Sequence, residues 1–203
     1  MIIPDPSTGT NVKCPPSVAV LGAIGLNDRL KFPWFAPAGY SRGVLNSTVE
    51  INTKLNRSNL DDMYDARINP LTTLPGESGS NFSKPVIFGQ KTLQAAASPL
   101  DRINVRRLLI NIRRRVRAAA LNILFEPNRA STLAAFSQAV NPILQDVQAN
   151  QGVDRFKVVI DATTTTQADV ENNTIRGKIF LQPTRSVEFV SLDFVVSNAG
   201  GAV

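Results

Sequence analysis

Seven arginines stand between Arg102 and Arg117 in the stretch INVRRLLINIRRRVRAAALNILFEPN and the residue before it, and no acid lies between Asp101 and Glu126. Guanidinium groups neutralise phosphates, pair with carboxylates or simply face water, so three chemistries are open: a nucleic acid, an acidic protein surface, or a solvated face. The other reactive types are sparse. Histidine is absent and Cys14 is the single cysteine, which removes Ser-His-Asp and Cys-His catalysis, imidazole metal sites, a cysteine zinc cage and an internal disulfide. Asp61, Asp62 and Asp65 suggest a metal less well than the acidic start of a helix. No GxxxxGK[ST] loop is present. No enzyme, cofactor or metal is expected.

The arginines need an element to order them. Ser98-Pro99-Leu100-Asp101 is a helix start, with a serine cap, a proline in the first turn and an acid placed to reach back. Glu126-Pro127 stops that helix, because the residue before proline avoids the α region. A helix to about Phe125 would be about 38 Å long. At 100° per residue, Arg102, Arg106, Arg113 and Arg117 fall within about 60°, with Arg107 and Arg114 about 80° further round. Val105, Leu109, Ile112, Val116, Ala119 and Ile123 occupy a separate arc. One face packs and the other is cationic. Plain solvation would ordinarily mix Glu with Lys, so a one-signed face favours an anionic partner. The face lacks the aromatics of an RNA-stacking surface, and no zinc-finger or zipper context surrounds it.

Around this helix the chain offers a core and small strands. A second helix, capped by Ser131, carries Leu133, Phe136, Val140, Ile143 and Val147 as one stripe, with Pro142 expected to kink it and Gly152 to end it. Pro15-Pro16-Ser17 opens a short apolar helix. KFPWFAPAGYSRG, residues 31–43, reads as a loop pinned in the core by Trp34 and Phe35, or as a partner contact. Ser58 to Arg67 forms another short helix. Strands are expected near 44–55, at 85–89, at Phe156–Ile160 and at Thr174–Gln182, where Ile175, Ile179 and Leu181 share a face. Val187–Val196 is apolar on both faces, and the tail SNAGGAV is poor in side chains. Residues 1–14 read as an irregular lead-in, 15–186 as the domain, and 187–203 as a terminal strand and arm. Two helices covering a small sheet is the expected α+β architecture.

With 43% apolar residues in 203, the chain can bury a core, and its net charge of +6 points to an anionic partner. No apolar run is long enough for a membrane span, and the start shows no secretory leader pattern, so a cytosolic protein without membrane insertion is expected.

Five stretches in order resemble the C-terminal half of contractile tail sheath proteins of phages and phage-like particles. PPSVAVLGAIGLND with PWFAPAGYSRG, DARINPL, VIFGQKTL, the arginine helix through FEPN, and NNTIRGKIFLQPTRSVEFVSLDF are each similar to a segment of that family. The likeness spans roughly residues 4–196; Lys91 and the Thr184-Arg185-Ser186 stretch depart from it. The resemblance implies a structural subunit, without the family's N-terminal region, that stacks as hexameric rings around a tail tube. It also implies contraction that drives the tube through a host envelope for genome ejection. The domain would face the tube at inner radius, with a small mixed, mainly antiparallel sheet packed on two long helices and completed by strands from neighbouring subunits. Baseplate and tail terminator proteins would meet the sheath ends, in a virion tail assembled in the bacterial cytoplasm, without direct nucleic-acid contact. In that setting Arg102, Arg106, Arg113 and Arg117 become candidate tube contacts. Val187, Phe189, Val190, Leu192, Phe194 and Val196 become the candidate inter-subunit strand. The alternative is a basic nucleic-acid-binding module using the Arg102–Arg117 helix.

Overall fold

The structure is a computed structural model and describes residues 1–73 and 84–191. In chain order it comprises β1 (Ile2–Pro4), β2 (Asn11–Lys13), α1 (Pro16–Leu30), α2 (Gly39–Arg42), α3 (Arg57–Asp65), β3 (Leu71–Thr72), β4 (Val86–Ile87), α4 (Ile103–Leu121), α5 (Ala130–Ala149), β5 (Val153–Val159), α6 (Gln167–Glu171) and β6 (Lys178–Pro183). Three two-stranded antiparallel sheets pair β1 with β2, β3 with β4 and β5 with β6. The small-sheet and two-helix expectation holds, with the strands in three separate pairs and no parallel pairing among the described residues.

The main core lies where α4, α5 and the β5–β6 hairpin meet. Leu108 and Ile112 of α4 are buried with Leu133, Val140, Leu144 and Val147 of α5, with Val153 and Ile160, and with Trp34. Val140, Leu144 and Val147 are completely enclosed. The stripes sit slightly off the expected ones: Leu108 rather than Leu109, and Leu144 rather than Ile143, take the deepest positions. Ile175, Ile179 and Leu181 pack against this cluster together, as their alternation predicts. Trp34 pins its loop in the core: its indole stacks on Phe32 at 4.8 Å and its Nε1 donates to the Asn150 carbonyl at 2.9 Å. A second cluster holds Met1, Ala19, Ala23, Leu45 and Ile87.

Several expectations need correction. Residues 1–14 form the β1–β2 hairpin instead of an irregular lead-in. Their turn is Asp-Pro-Ser-Thr-Gly: Asp5 Oδ1 accepts from Ser7 N, and Gly9 takes φ +68°. Met1 and Ile3 then reach the second cluster. Residues 44–55 make no strand, only isolated bridges from Val44 to Val86 and from Glu50 to Ile2. Pro142 does not interrupt α5, which is continuous for 20 residues. Proline inside a helix costs about 3 kcal/mol, and the fully enclosed Val140, Leu144 and Val147 on either side offset it. The start of the second core helix also moves: α5 begins at Ala130 after Arg129, not after a Ser131 cap.

The arginine helix itself is shorter than expected, 19 residues from Ile103. Ser98 caps a single 3₁₀ turn, Pro99–Asp101, and Arg102 then adopts an extended backbone (φ −113°, ψ 137°). The reason is a local ladder. Arg102 bridges to Lys91, Ile103 N donates to Gln90 O at 2.8 Å, and Thr92 N donates to Asp101 O at 2.8 Å. At the other end, Ile123 and Asn122 close with 3₁₀-type bonds, and Phe125 lies in the left-handed region at φ 70°.

Two outcomes test this packing. Leu144→Ala should lose about 2–5 kcal/mol of unfolding free energy in urea. Gly152→Ala should lose about 1–3 kcal/mol, because its Cβ would lie 2.6 Å from Val147 Cγ1 and 3.1 Å from Trp34 Cε2. The β5–β6 connection adds a pH test. Asp169 is held below its ordinary pKa of 3.8 by hydrogen bonds from the Thr166 hydroxyl and backbone, and by Arg176. A lowered folded pKa gives stability that is present above about pH 4 and is lost as pH falls through the folded value. Asp169→Asn should therefore flatten the acid side of the stability profile, measured by denaturation between pH 2 and pH 5.

Candidate functional site

The burial of Val105, Leu108 and Ile112 on one side of α4 sorts its arginines. Arg107 lies at the margin of the buried face. It donates to Asp28 Oδ1 at 2.6 Å and to the Pro33 carbonyl at 3.0 Å, tying α4 to α1 and the Trp34 loop. Arg115 pairs with Asp146 of α5 at 2.7 Å. Arg106, Arg113, Arg114 and Arg117 are exposed on the opposite side. Ile110, 57% exposed, sits within their arc, and Leu121, Leu124 and Phe125 continue an apolar strip beyond them. The outer surface of α4 is thus cationic, with Ile110 and Leu121 as exposed apolar residues on the helix.

Arg102 departs from that face. Its extended backbone removes it from the helical arc, and its side chain enters a cluster built from three other elements. Nε donates to Glu188 Oε1 at 2.7 Å, and Nη2 donates to Glu188 Oε2 at 2.9 Å, a bidentate pair. Nη2 also donates to the Tyr64 hydroxyl at 3.1 Å, and Nη1 meets Asp101 Oδ2 at 2.9 Å. Tyr64 of α3 donates in turn to Glu188 Oε2 at 3.1 Å, and Gln90 Nε2 donates to Oε1 at 3.1 Å. Lys91 Nζ donates to the Tyr64 carbonyl at 2.6 Å and stands 3.1 Å from the centre of its ring. The Phe189 ring meets the Tyr64 ring edge-on at 5.5 Å.

The electrostatics follow from these contacts. Burial and then the Glu188 charge push the Tyr64 phenol above its ordinary pKa, so it stays a hydrogen-bond donor. For Arg102, desolvation opposes the charge, but the Glu188 hydrogen bonds and charge, with Asp101, outweigh it and raise the pKa. The cluster borders a cleft of about 1030 Å³ that runs between α3, the 88–91 stretch and residues 184–189.

The candidate strand is only partly within the described residues. Val187, Phe189 and Val190 are 81%, 75% and 75% exposed and pair with no described strand; Leu192, Phe194 and Val196 lie outside the described residues. The Glu188 cluster was not legible from the sequence, although Arg102 and the Glu-Phe pair were each singled out. No group of three or more His, Cys, Asp or Glu side chains gathers among the described residues, and no described helix is long and apolar enough to cross a membrane.

A helix pair over a small antiparallel strand pair is a fold this chain shares with chains of contractile injection assemblies. The chain belongs to the phage tail sheath family: the model of the phage tail sheath C-terminal domain matches residues 96–197, half of its length. It is 31% identical over 186 residues to the tail sheath protein of Enterobacteria phage T4, covering 92% of this chain and 27% of that protein. It is 32% identical over 179 residues to the tail sheath protein of Vibrio phage KVP40, covering 88% and 26%. The chain thus spans about a quarter of the length of the curated relatives it matches. Its fold superposes on a chain of the contracted-state sheath complex of the extracellular contractile injection system PVC with a TM-score of 0.82. The identity is 23%, and the match covers 96% of this chain and 53% of that one. A chain of the six-fold symmetrised baseplate of the anti-feeding prophage gives a TM-score of 0.79 at 22% identity, covering 90% and 50%.

Two replacements separate the inward from the outward arginines. Arg107→Ala should cost about 1–3 kcal/mol, since it leaves Asp28 and the Pro33 carbonyl without their partner. Arg113→Glu should change stability by no more than about 0.5 kcal/mol. Chemical denaturation of the two variants is the measurement.

Proposed function

We propose that this chain is the tube-facing part of a sheath subunit. In this reading subunits stack as hexameric rings around a tail tube and contract to drive the tube through a host envelope. The observation that carries the proposal is the one-signed outer face of α4, where Arg106, Arg113, Arg114 and Arg117 stand exposed while the opposite face is core. The proposal places that face against an acidic protein tube. Arg102, engaged by Glu188, drops out of the proposed contact set. Exposed ion pairs are individually weak and are screened beyond about 10 Å at 0.1 M salt. Repeated around every ring they would grip the tube together and release it together.

The same reading has the C-terminal segment add a strand to a neighbour. Exposure of Val187, Phe189 and Val190 supports it, as does the β5–β6 pair, which has only two strands among the described residues and so leaves outer edges open. Relatives named as tail sheath proteins, and structural neighbours from a sheath complex and a six-fold baseplate, support ring assembly.

Sheath and tube reconstituted over a salt series should co-sediment at low salt and separate as salt rises. Charge reversal of Arg106, Arg113 and Arg117 should weaken docking by at least about tenfold, three contacts at about 0.5 kcal/mol each. Unchanged docking would remove the tube contact, and retardation of DNA at physiological salt would favour the nucleic-acid alternative. Removal of residues 187–203 should leave a soluble subunit that forms no striated sheath in negative stain.

A further inference from the structure

We propose that Glu188 fixes the root of the C-terminal segment to its own subunit, in a carboxylate receptor built by Arg102, Tyr64 and Gln90. The segment then leaves from one fixed point with its main chain free for a neighbour. This rests on the strand-donation reading above.

The segment is held by side chains. After Thr184 N, which donates to the Gly152 carbonyl at 3.3 Å, residues 185–191 make no main-chain hydrogen bond to another described main-chain group. Glu188, in contrast, accepts four hydrogen bonds, two on each oxygen. Asn104 Nδ2 adds one to Ser186 Oγ at 3.1 Å. The Glu188 and Arg102 side chains are only 19% and 24% exposed, although Val187, Phe189 and Val190 around them are largely in solvent. An ion pair between free surface chains contributes little, whereas a bidentate pair, partly shielded from water and with every acceptor position used, fixes geometry.

The receptor is also held in shape independently of Glu188. Asp101 orients the Arg102 guanidinium, the bridge between Lys91 and Arg102 sets its backbone, and Lys91 holds Tyr64 by carbonyl and ring. Gln90 and Asn104, each only 5% exposed, both spend their amide nitrogens on this segment, while their oxygens find no donor among the described residues. The cluster is thus organised around donating to the segment. The division of labour follows. A strand is donated through main-chain N–H and C=O groups, and an anchor made through a carboxylate does not compete for them. A main-chain anchor would have to break before donation.

Trypsin cleavage after exposed Arg185, followed by mass spectrometry on the full chain, tests the anchor. Glu188→Gln should speed that cleavage about tenfold, corresponding to loss of about 1.4 kcal/mol of protection. Val187→Thr, outside the receptor, should leave that cleavage unchanged. A wild-type rate in Glu188→Gln overturns the proposal. So does wild-type protection that rises with protein concentration, because the receptor would then be filled by a second copy. Sheath assembly is scored separately: faster cleavage of Glu188→Gln together with normal sheath from the chain without residues 187–203 keeps the anchor and removes strand donation.

Discussion

Leu108 and Ile112 are removed from water only if α4 lies against Val140, Leu144 and Val147 of α5, and most other features of the molecule follow from that seam. Each enclosed aliphatic side chain contributes roughly 1.5–3 kcal/mol, so the seam outweighs the cost of a proline inside α5. Gly152 then brings the chain from α5 into β5 close under Trp34, and the β5–β6 hairpin covers the remaining side of the cluster. A helix fixed by one face has no freedom to choose which residues it presents on the other.

That constraint assigns the arginines different work. Arg107 and Arg115 flank the buried stripe and bond to α1, the Trp34 loop and α5, so they bind elements together. Arg106, Arg113, Arg114 and Arg117 are left outward without acidic neighbours on the helix. Arg102 belongs to neither group, because a short backbone ladder with residues 90–92 holds it extended ahead of the first turn of α4, where its side chain pairs with Glu188. One element thus carries a packed face, a charged face and, at its start, the mooring of the C-terminal segment.

The long periodic pieces were readable from the sequence. The amphipathic stripes of α4 and α5 and the shared face of Ile175, Ile179 and Leu181 follow from spacing, whereas the burial of Trp34 is one of two readings that the composition of its loop allows, and its packing decides it. What was not readable depended on partners distant in the chain. The β1–β2 hairpin has only three residues in each strand, and only its Asp-Pro-Ser-Thr-Gly turn marks it. Arg102 sits within a perfect helical arc by angle, yet its conformation is set by pairing with Lys91, which no local pattern announces. The Tyr64–Gln90–Arg102–Glu188 cluster joins four separated positions, and sequence spacing carries no information on such a meeting. The family resemblance rested on Glu188-Phe189 as a motif without saying what either side chain touches.

The central claim is that the outer face of α4 lies against an acidic protein tube. A photo-crosslinking residue placed at Ile110, within the arginine arc, reports its neighbour directly in assembled particles. The account predicts crosslinks to the tube protein, and none from the same probe at exposed Leu93. Capture of a second sheath copy from position 110, or equal labelling from both positions, would contradict it.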